Sequence, residues 1–305
     1  MTTSAHSVGH KKRKPGNERA FDLVILVLGS LALLIAAYPL YFVLIASISN
    51  PDMTSAGKVF IIPRGITFQA YEFILSDTRL WNGYLNTIIY TLGTVVIGLL
   101  ITLPGAYALS RKDFVGGTLL IRLLTLTMFF QGGLIPTYLM VNQMGLTNTR
   151  IIVILLSSCT VFNVIVARTF FQSIPGELFE AANVDGCGNI RFFISVVIPL
   201  STTIIAVIAL YLAVAQWNSY FNAMIYLNDT SKAPLQIELR RILVLGESLL
   251  GGSDDLPAEQ IEYMRKVTIL IKYAVIVVAS APIIALYPFL QRYFVKGVMI
   301  GSIKG

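Results

Sequence analysis

The chain has 305 residues, 55% of them hydrophobic and only 13% charged, with a mean hydropathy of +0.74. A soluble domain carries about a quarter charged residues, so the composition excludes a wholly water-facing globule and makes lipid the solvent for much of the surface. The net charge of +7 does not mark a nucleic-acid binder, because the basic residues lie mainly between and outside apolar runs, where membrane topology places them.

Residues 1–20 form a basic tail with Lys11, Lys12, Arg13, Lys14 and Arg19. His6 and His10 lie in this tail and read as solvated side chains rather than metal ligands. A helix needs about 20 apolar residues to cross the roughly 30 Å hydrocarbon core. Six stretches meet or approach that length: Phe21–Ile48, Asn82–Ser110, Gly117–Val141, Arg150–Phe171, Val197–Asn218 and Thr268–Tyr293. The first is far longer than the core of a cleaved signal and reads as a retained anchor. Its basic flank places the N-terminus in the cytoplasm, and six crossings return the C-terminus to the same side. The sequence therefore predicts an all-α integral membrane protein with six transmembrane helices and both termini cytoplasmic.

An external loop then covers residues 49–81, and a core of five spans covers 82–293. Arg111 and Lys112 fall in a short inner loop. The outer loop near Asn142–Asn148 has no basic residue. Pro104 and Pro136 lie inside spans and each should kink its helix; with Gly105, Gly132 and Gly133 they either line a pathway or serve helix packing. Arg122, Arg168 and Lys272 sit near span ends and can snorkel to an interface. The span centres hold no Asp, Glu, Lys, Arg or His, which counts against a proton- or sodium-coupled carrier, since such carriers keep an ionisable group at midplane. Cys159 lies in an apolar run and Cys187 in a polar loop, so neither a disulfide framework nor a metal site is indicated.

Residues 173–200, SIPGELFEAANVDGCGNIRFFISVVIPL, are too polar to cross and too well patterned for a plain connector. Pro175 suits a first helical position, and Glu177 and Glu180 suit the N-terminal half of a helix. Leu178, Ala181 and Ala182 share one small apolar face. Asp185-Gly186 marks a stop with left-handed backbone, Asn189 is a candidate cap for a second short helix, and Pro199 introduces the fifth span. Such a helix either passes a push from a soluble motor into the spans or lies amphipathically on the bilayer.

Glu180-Ala181-Ala182 with Gly186 and Pro199-Leu200 resembles the EAA loop of binding-protein-dependent ABC permeases. The run IPGELFEAANVDG is similar to their carbohydrate branch, the maltose-type permeases, with Ile198 where the family usually has Leu. Tyr107-Ala108-Leu109-Ser110-Arg111 with Phe114 resembles the family's end of the second span. Gly132-Gly133-Leu134-Ile135-Pro136-Thr137-Tyr138 resembles a subgroup associated with aldouronate and other complex oligosaccharides. Trp217-Asn218 matches a pair habitual in this branch, and Gln291–Gly297 with Lys304-Gly305 resembles the maltose-type second permease's ending.

The resemblance implies a type I ABC importer permease fold carrying an oligosaccharide delivered by an extracytoplasmic binding protein. It implies that Glu180, Ala181, Ala182, Asp185 and Gly186 dock on a cytoplasmic ATPase dimer. It also implies that Gly301, Lys304 and Gly305, in the cytoplasmic tail 294–305, reach that ATPase, and that a second permease completes the path. The external loop 222–267 would face the binding protein. No G-x-x-x-x-G-K-[ST] phosphate loop occurs, so ATP and Mg would be used by the partner chain, with no cofactor and no catalytic residue here. Trp217 and Asn218 either contact sugar, an aromatic face suiting sugar C–H surfaces, or act as an interfacial anchor. A permease for a non-sugar solute would share the loop but not the carbohydrate-branch flanks.

Overall fold

A computed structural model describes residues 16–130, 132–251, 266 and 268–285, with side chains from residue 21 to residue 244 apart from 131, and again at 266 and 268–285. Every regular element among them is helical. The C-terminal tail with Gly301, Lys304 and Gly305, the end of the last span, and most of the basic N-terminal tail lie outside the described residues.

Helix α1 (Gly16–Ser47) is exposed along its apolar length and becomes buried only at its end, through Ile45, Ala46 and Ser47. A helix apolar all round and uncovered is built to face lipid. The loop that follows is not plain: it holds α2 (Pro51–Ser55), capped by the Asn50 side chain, and α3 (Gln69–Ser76), which buries Ala70 and Ile74 one turn apart. Helix α4 (Thr78–Ser110) runs unbroken through Pro104 and is the spine of the fold. Thr94, Gly98, Thr102 and Ala106 recur every four residues and are all buried, forming one small-residue stripe. A side chain at Gly98 would strike Leu212 and the Ser158 carbonyl, each 2.6 Å from an added Cβ. Small residues allow such close backbone approach, which is how helices pack where lipid supplies no hydrophobic drive.

The other spans are interrupted. The third divides into α5 (Gly117–Thr127) and α6 (Leu134–Gln143). Gly133, at φ 84° and ψ 164°, precedes α6 in a conformation essentially reserved for glycine. Pro136 does not kink a helix as expected: it is the third residue of α6, where backbone N–H groups have no intrahelical acceptor to lose. Helices α7 (Arg150–Ser158) and α8 (Val161–Gln172) meet at 48° across extended Cys159 and Thr160, and the Thr160 hydroxyl accepts from the Asn163 N–H to cap α8. The short α9 (Gly176–Val184) follows. Then α10 (Asn189–Leu200), with a π-helical middle at Phe193–Val197, turns 81° into α11 (Thr202–Trp217). The π-helical turn stands just before Pro199, whose nitrogen has no proton for the helix ladder. Helices α12 (Phe221–Tyr226), α13 (Leu235–Gly251) and α14 (Thr268–Ala285) complete the described chain, so much of the expected outer loop is helical.

The two ends of the bundle differ. At the end carrying α3 and α13, polar bonds pin the chain before α13 to α4 and α7. Asn86 donates to the carbonyls of Ser231 and Ala233 at 2.8 and 3.0 Å and accepts from Arg150 at 3.1 Å, while the Tyr90 hydroxyl donates to the Lys232 carbonyl. Asn148, at φ 57°, accepts from the N–H groups of Asn228 and Asp229. Arg241 of α13 bridges the buried Glu238 carboxylate at 2.7 Å and Asp77, the N-cap of α4. Burial pushes the Asp77 carboxyl up, but the Arg79 N–H and the Arg241 guanidinium outweigh it and hold the carboxyl below its ordinary value. The opposite end carries α9.

Candidate functional site

Residues 173–200 leave the bundle as a helix, a tight turn and a second helix. Pro175 is the N-cap of α9 rather than its first residue; extended backbone there (φ −57°, ψ 131°) turns the chain away from α8. Gly188, not Asn189, precedes α10. The apolar face also differs from the expectation. Leu178, at 41% exposure, and Ala181 face outward, while Phe179 and Ala182 turn toward the bundle. Phe179 is the anchor that the alanine pattern concealed. Its ring meets Phe192 edge-on at 5.3 Å, and the Arg111 guanidinium lies over its face at 3.4 Å.

The turn after α9 is a complete Schellman motif. The Gly186 N–H donates to the Asn183 carbonyl at 3.0 Å, and the Cys187 N–H donates to the Ala182 carbonyl at 2.9 Å. Gly186 has φ +72°, the left-handed value the sequence predicts. A Cβ there would meet nothing within 4 Å, so the glycine serves conformation, not a close approach within this chain. The outward surface of α9 then comprises Glu177, Leu178, Glu180, Ala181, Asn183 and Val184, followed by Asp185. Val184 is 88% exposed. Carboxylates and bare aliphatics on one short helix suit a partner's groove better than water or acyl chains.

Beneath the helix, one apolar core holds two groups of rings, Phe179 on Phe192, and Tyr107, Phe171 and Phe193 on one another, with the Tyr107 and Phe193 rings 4.9 Å apart. It joins α9 to the ends of α4, α8 and α10. Arg168 does not snorkel: its Nε donates 2.9 Å to the Leu109 carbonyl and ties α8 to the last turn of α4. Arg111, just past α4, donates twice to Asp113 at 3.0 and 2.9 Å. Those two bonds hold the Asp113 carboxyl below the usual aspartate range. A cavity of about 630 Å³ remains between the end of α4 and Ile174–Glu180.

The remaining candidates lie elsewhere. Trp217 and Asn218 are at the α13 end. Trp217 is 7% exposed, packs among Leu80, Leu235, Leu270 and Ala274, and donates its indole N–H to the Ala279 carbonyl at 3.2 Å. Its ring is a core anchor here, with no free face for a sugar. Asn218 is exposed and donates to the Val214 carbonyl at 2.9 Å. Helix α9 and its turn thus form the one compact candidate site among the described residues.

Residues 78–300 match the family described as binding-protein-dependent transport system inner membrane component. The chain is 37% identical over 292 residues to the polygalacturonan/rhamnogalacturonan transport system permease protein YtcP of Bacillus subtilis, covering 94% of this chain and 99% of that one. It is 37% identical over 292 residues to protein LplC of the same organism, covering 94% and 96%. The crystal structure of a bacterial ABC transporter involved in the import of the acidic polysaccharide alginate contains a chain superposing with a TM-score of 0.79 at 33% identity, covering 93% of this chain and all of that one. With the family's model spanning everything from α4 onward and relatives matched along nearly the whole length, this chain belongs to the binding-protein-dependent inner membrane components, the non-catalytic membrane-spanning subunits of ABC importers.

Proposed function

We propose that this chain is one of two permeases forming the path by which a bacterial cell imports an oligosaccharide containing uronic acids. A binding protein delivers the sugar outside, and a separate cytoplasmic ATPase dimer, using ATP and Mg, drives the cycle. The substrate class rests on two relatives whose names specify polygalacturonan/rhamnogalacturonan and alginate. The basic N-terminal cluster and Arg111 with Lys112 support a cytoplasmic position for the α9 end. Helix α13 and its polar anchorage then face the binding protein. In the tail, Gly301, Lys304 and Gly305 contact the ATPase.

The observation that carries this reading is α9 itself: a short helix standing outside the bundle, its acids and aliphatics outward, its phenylalanine held between Phe192 of α10 and Arg111 at the end of α4. When the ATPase halves move, they move α9. The apolar core beneath it passes that motion to α4, α8 and α10. The bend at Ser201 lets α10 change its angle to α11 without unwinding either helix. No residue forms or breaks a covalent bond; the work is done by shifting packed helices between two arrangements.

The test is uptake into proteoliposomes holding this chain, its partner permease and the ATPase, with the binding protein on the outer side. Labelled oligogalacturonate should accumulate only with ATP on the ATPase side, and malto-oligosaccharide should not. Uptake without ATP, or a preference for the neutral sugar, defeats the proposal.

A further inference from the structure

The packing of α9 leaves its orientation under-determined. One aromatic side chain, Phe179, seats it on the bundle, while a cavity of about 630 Å³ opens beside it, lined by Ser110, Arg111, Gln172, Ile174, Phe179 and Glu180 among others. A nine-residue helix held by one ring and the small Ala182 beside a cavity can tilt. Tight interiors transmit displacement, whereas voids absorb it. Motion imposed on α9 is therefore lost unless something stiffens the joint.

Arg111 is placed to do so. Its guanidinium covers the face of Phe179 at 3.4 Å, while Phe192 meets the same ring edge-on at 5.3 Å. Asp113 fixes the guanidinium plane with two parallel bonds at 3.0 and 2.9 Å, the arrangement in which an arginine loses rotational freedom. The base of this arm is also fixed. Arg111 is the C-cap of α4, its own N–H bonds the Ala108 carbonyl, and Arg168 holds the neighbouring Leu109 carbonyl from α8. A rigid chain thus runs from α8 and α4 through Arg111 to Phe179 and α9. Lysine would not replace it, since an ammonium has no plane to lie on a ring while donating edge-on to a carboxylate.

We infer that Arg111, clamped by Asp113 onto the face of Phe179, is the positioning residue that locks α9 to the second span, so that each stroke of the ATPase reaches the path instead of tilting the helix into the cavity. This rests on the proposed importer function. It adds a claim that function does not require: that coupling efficiency depends on Arg111 holding the Phe179 ring, away from the surface α9 offers to the ATPase.

The experiment uses the reconstituted complex and reads sugar imported per ATP hydrolysed. Arg111→Gln and Phe179→Leu should each lower that ratio about fivefold or more, with the ATPase still bound. The double variant should be no worse than the poorer single, because the two remove one shared contact. Phe179→Tyr keeps the ring and should restore the wild-type ratio. Lys112→Gln removes an exposed neighbouring cation and should leave the ratio unchanged. A second reading needs no transport. Spin labels at Val115→Cys and Glu177→Cys, both exposed positions, in a background with Cys159 and Cys187 replaced, should give a narrow distance distribution that broadens with Arg111→Gln. Losses that multiply in the double variant, or a distribution unchanged by Arg111→Gln, overturn the inference. Absence of ATP-driven uptake by the wild-type complex would instead defeat the proposed function, and the distance measurement would still decide the role of Arg111.

Discussion

Replacing Gly186 separates two explanations of the turn after α9. The residue sits at φ +72° with open space around it, since an added Cβ meets nothing within 4 Å. A side chain there is penalised by backbone conformation alone, about 1–2 kcal/mol for an ordinary residue. If residue 186 relaxes to right-handed backbone instead, the bonds from Gly186 to Asn183 and from Cys187 to Ala182 are lost, at about 0.5–1.5 kcal/mol each. The cheaper route sets the cost, so Gly186→Ala should reduce the population of the native turn by about 5–30-fold. Val adds β-branching, for which positive φ is a genuine outlier, and should fall at or beyond the upper end. Asn visits this region several times more often than other residues and should stay close to wild type. The assay is retention of the ATPase on solubilised permease, titrated for apparent affinity, beside sugar uptake. The order Gly, Asn, Ala, Val is expected in both. If Asn is as damaging as Val, a partner's backbone approaches the glycine and the conformational argument fails; if Val equals wild type, the turn has no part in attachment.

Glu180→Lys inverts an exposed charge on α9 without touching a span, and should release the ATPase in a pull-down while the permease pair still forms; full retention counts against α9 as the docking surface. Deleting Gly301–Gly305 should leave insertion and assembly intact but lower ATP turnover coupled to transport, and an unaltered rate would make the tail an ordinary frayed end. Arg241→Met strands the buried Glu238 carboxylate, at about 1–3 kcal/mol or more, and should raise amide hydrogen exchange in the first turns of α13 while α9 exchanges as before. Because the Asp77 carboxyl is depressed in the folded chain, its contribution is full above the ordinary aspartate range near about 4 and is lost as pH falls through the depressed value. Thermal unfolding in detergent should therefore lose stability on acidification in the wild type, with a shallower acid limb in Asp77→Asn; identical limbs would remove Asp77 from the balance.

The apolar runs were legible because lipid demands length and composition; among the described residues three helices meet that demand unbroken, and up to five spans result if each bent pair is one. Their interruptions were not. The breaks before Gly133's helix and at Cys159-Thr160 leave no mark on composition, and only Gly132-Gly133 and Pro136 hinted at the first. Around α9, Asp185-Gly186 announced its left-handed turn because few other residues adopt that backbone. Phe179 was hidden, since the face expected from Leu178, Ala181 and Ala182 leaves it out, and its partner Arg111 is 68 positions earlier by their residue numbers. Pairings over that distance are set by packing, which a local pattern does not carry. The stripe Thr94-Gly98-Thr102-Ala106 marks the face of α4 that the neighbouring helices approach.

The most direct test of the account is a crosslink from the outward face of α9. Ala181 is exposed on that face, and Ala181→Cys in a background without Cys159 and Cys187 gives one thiol there. In membranes containing the whole complex, a short thiol-reactive crosslinker should join this residue to the ATPase chain. An impermeant maleimide added outside intact cells should leave it unmodified. Labelling from outside, or no crosslink in a complex that hydrolyses ATP and imports sugar, would contradict the assignment of α9 as the cytoplasmic coupling helix.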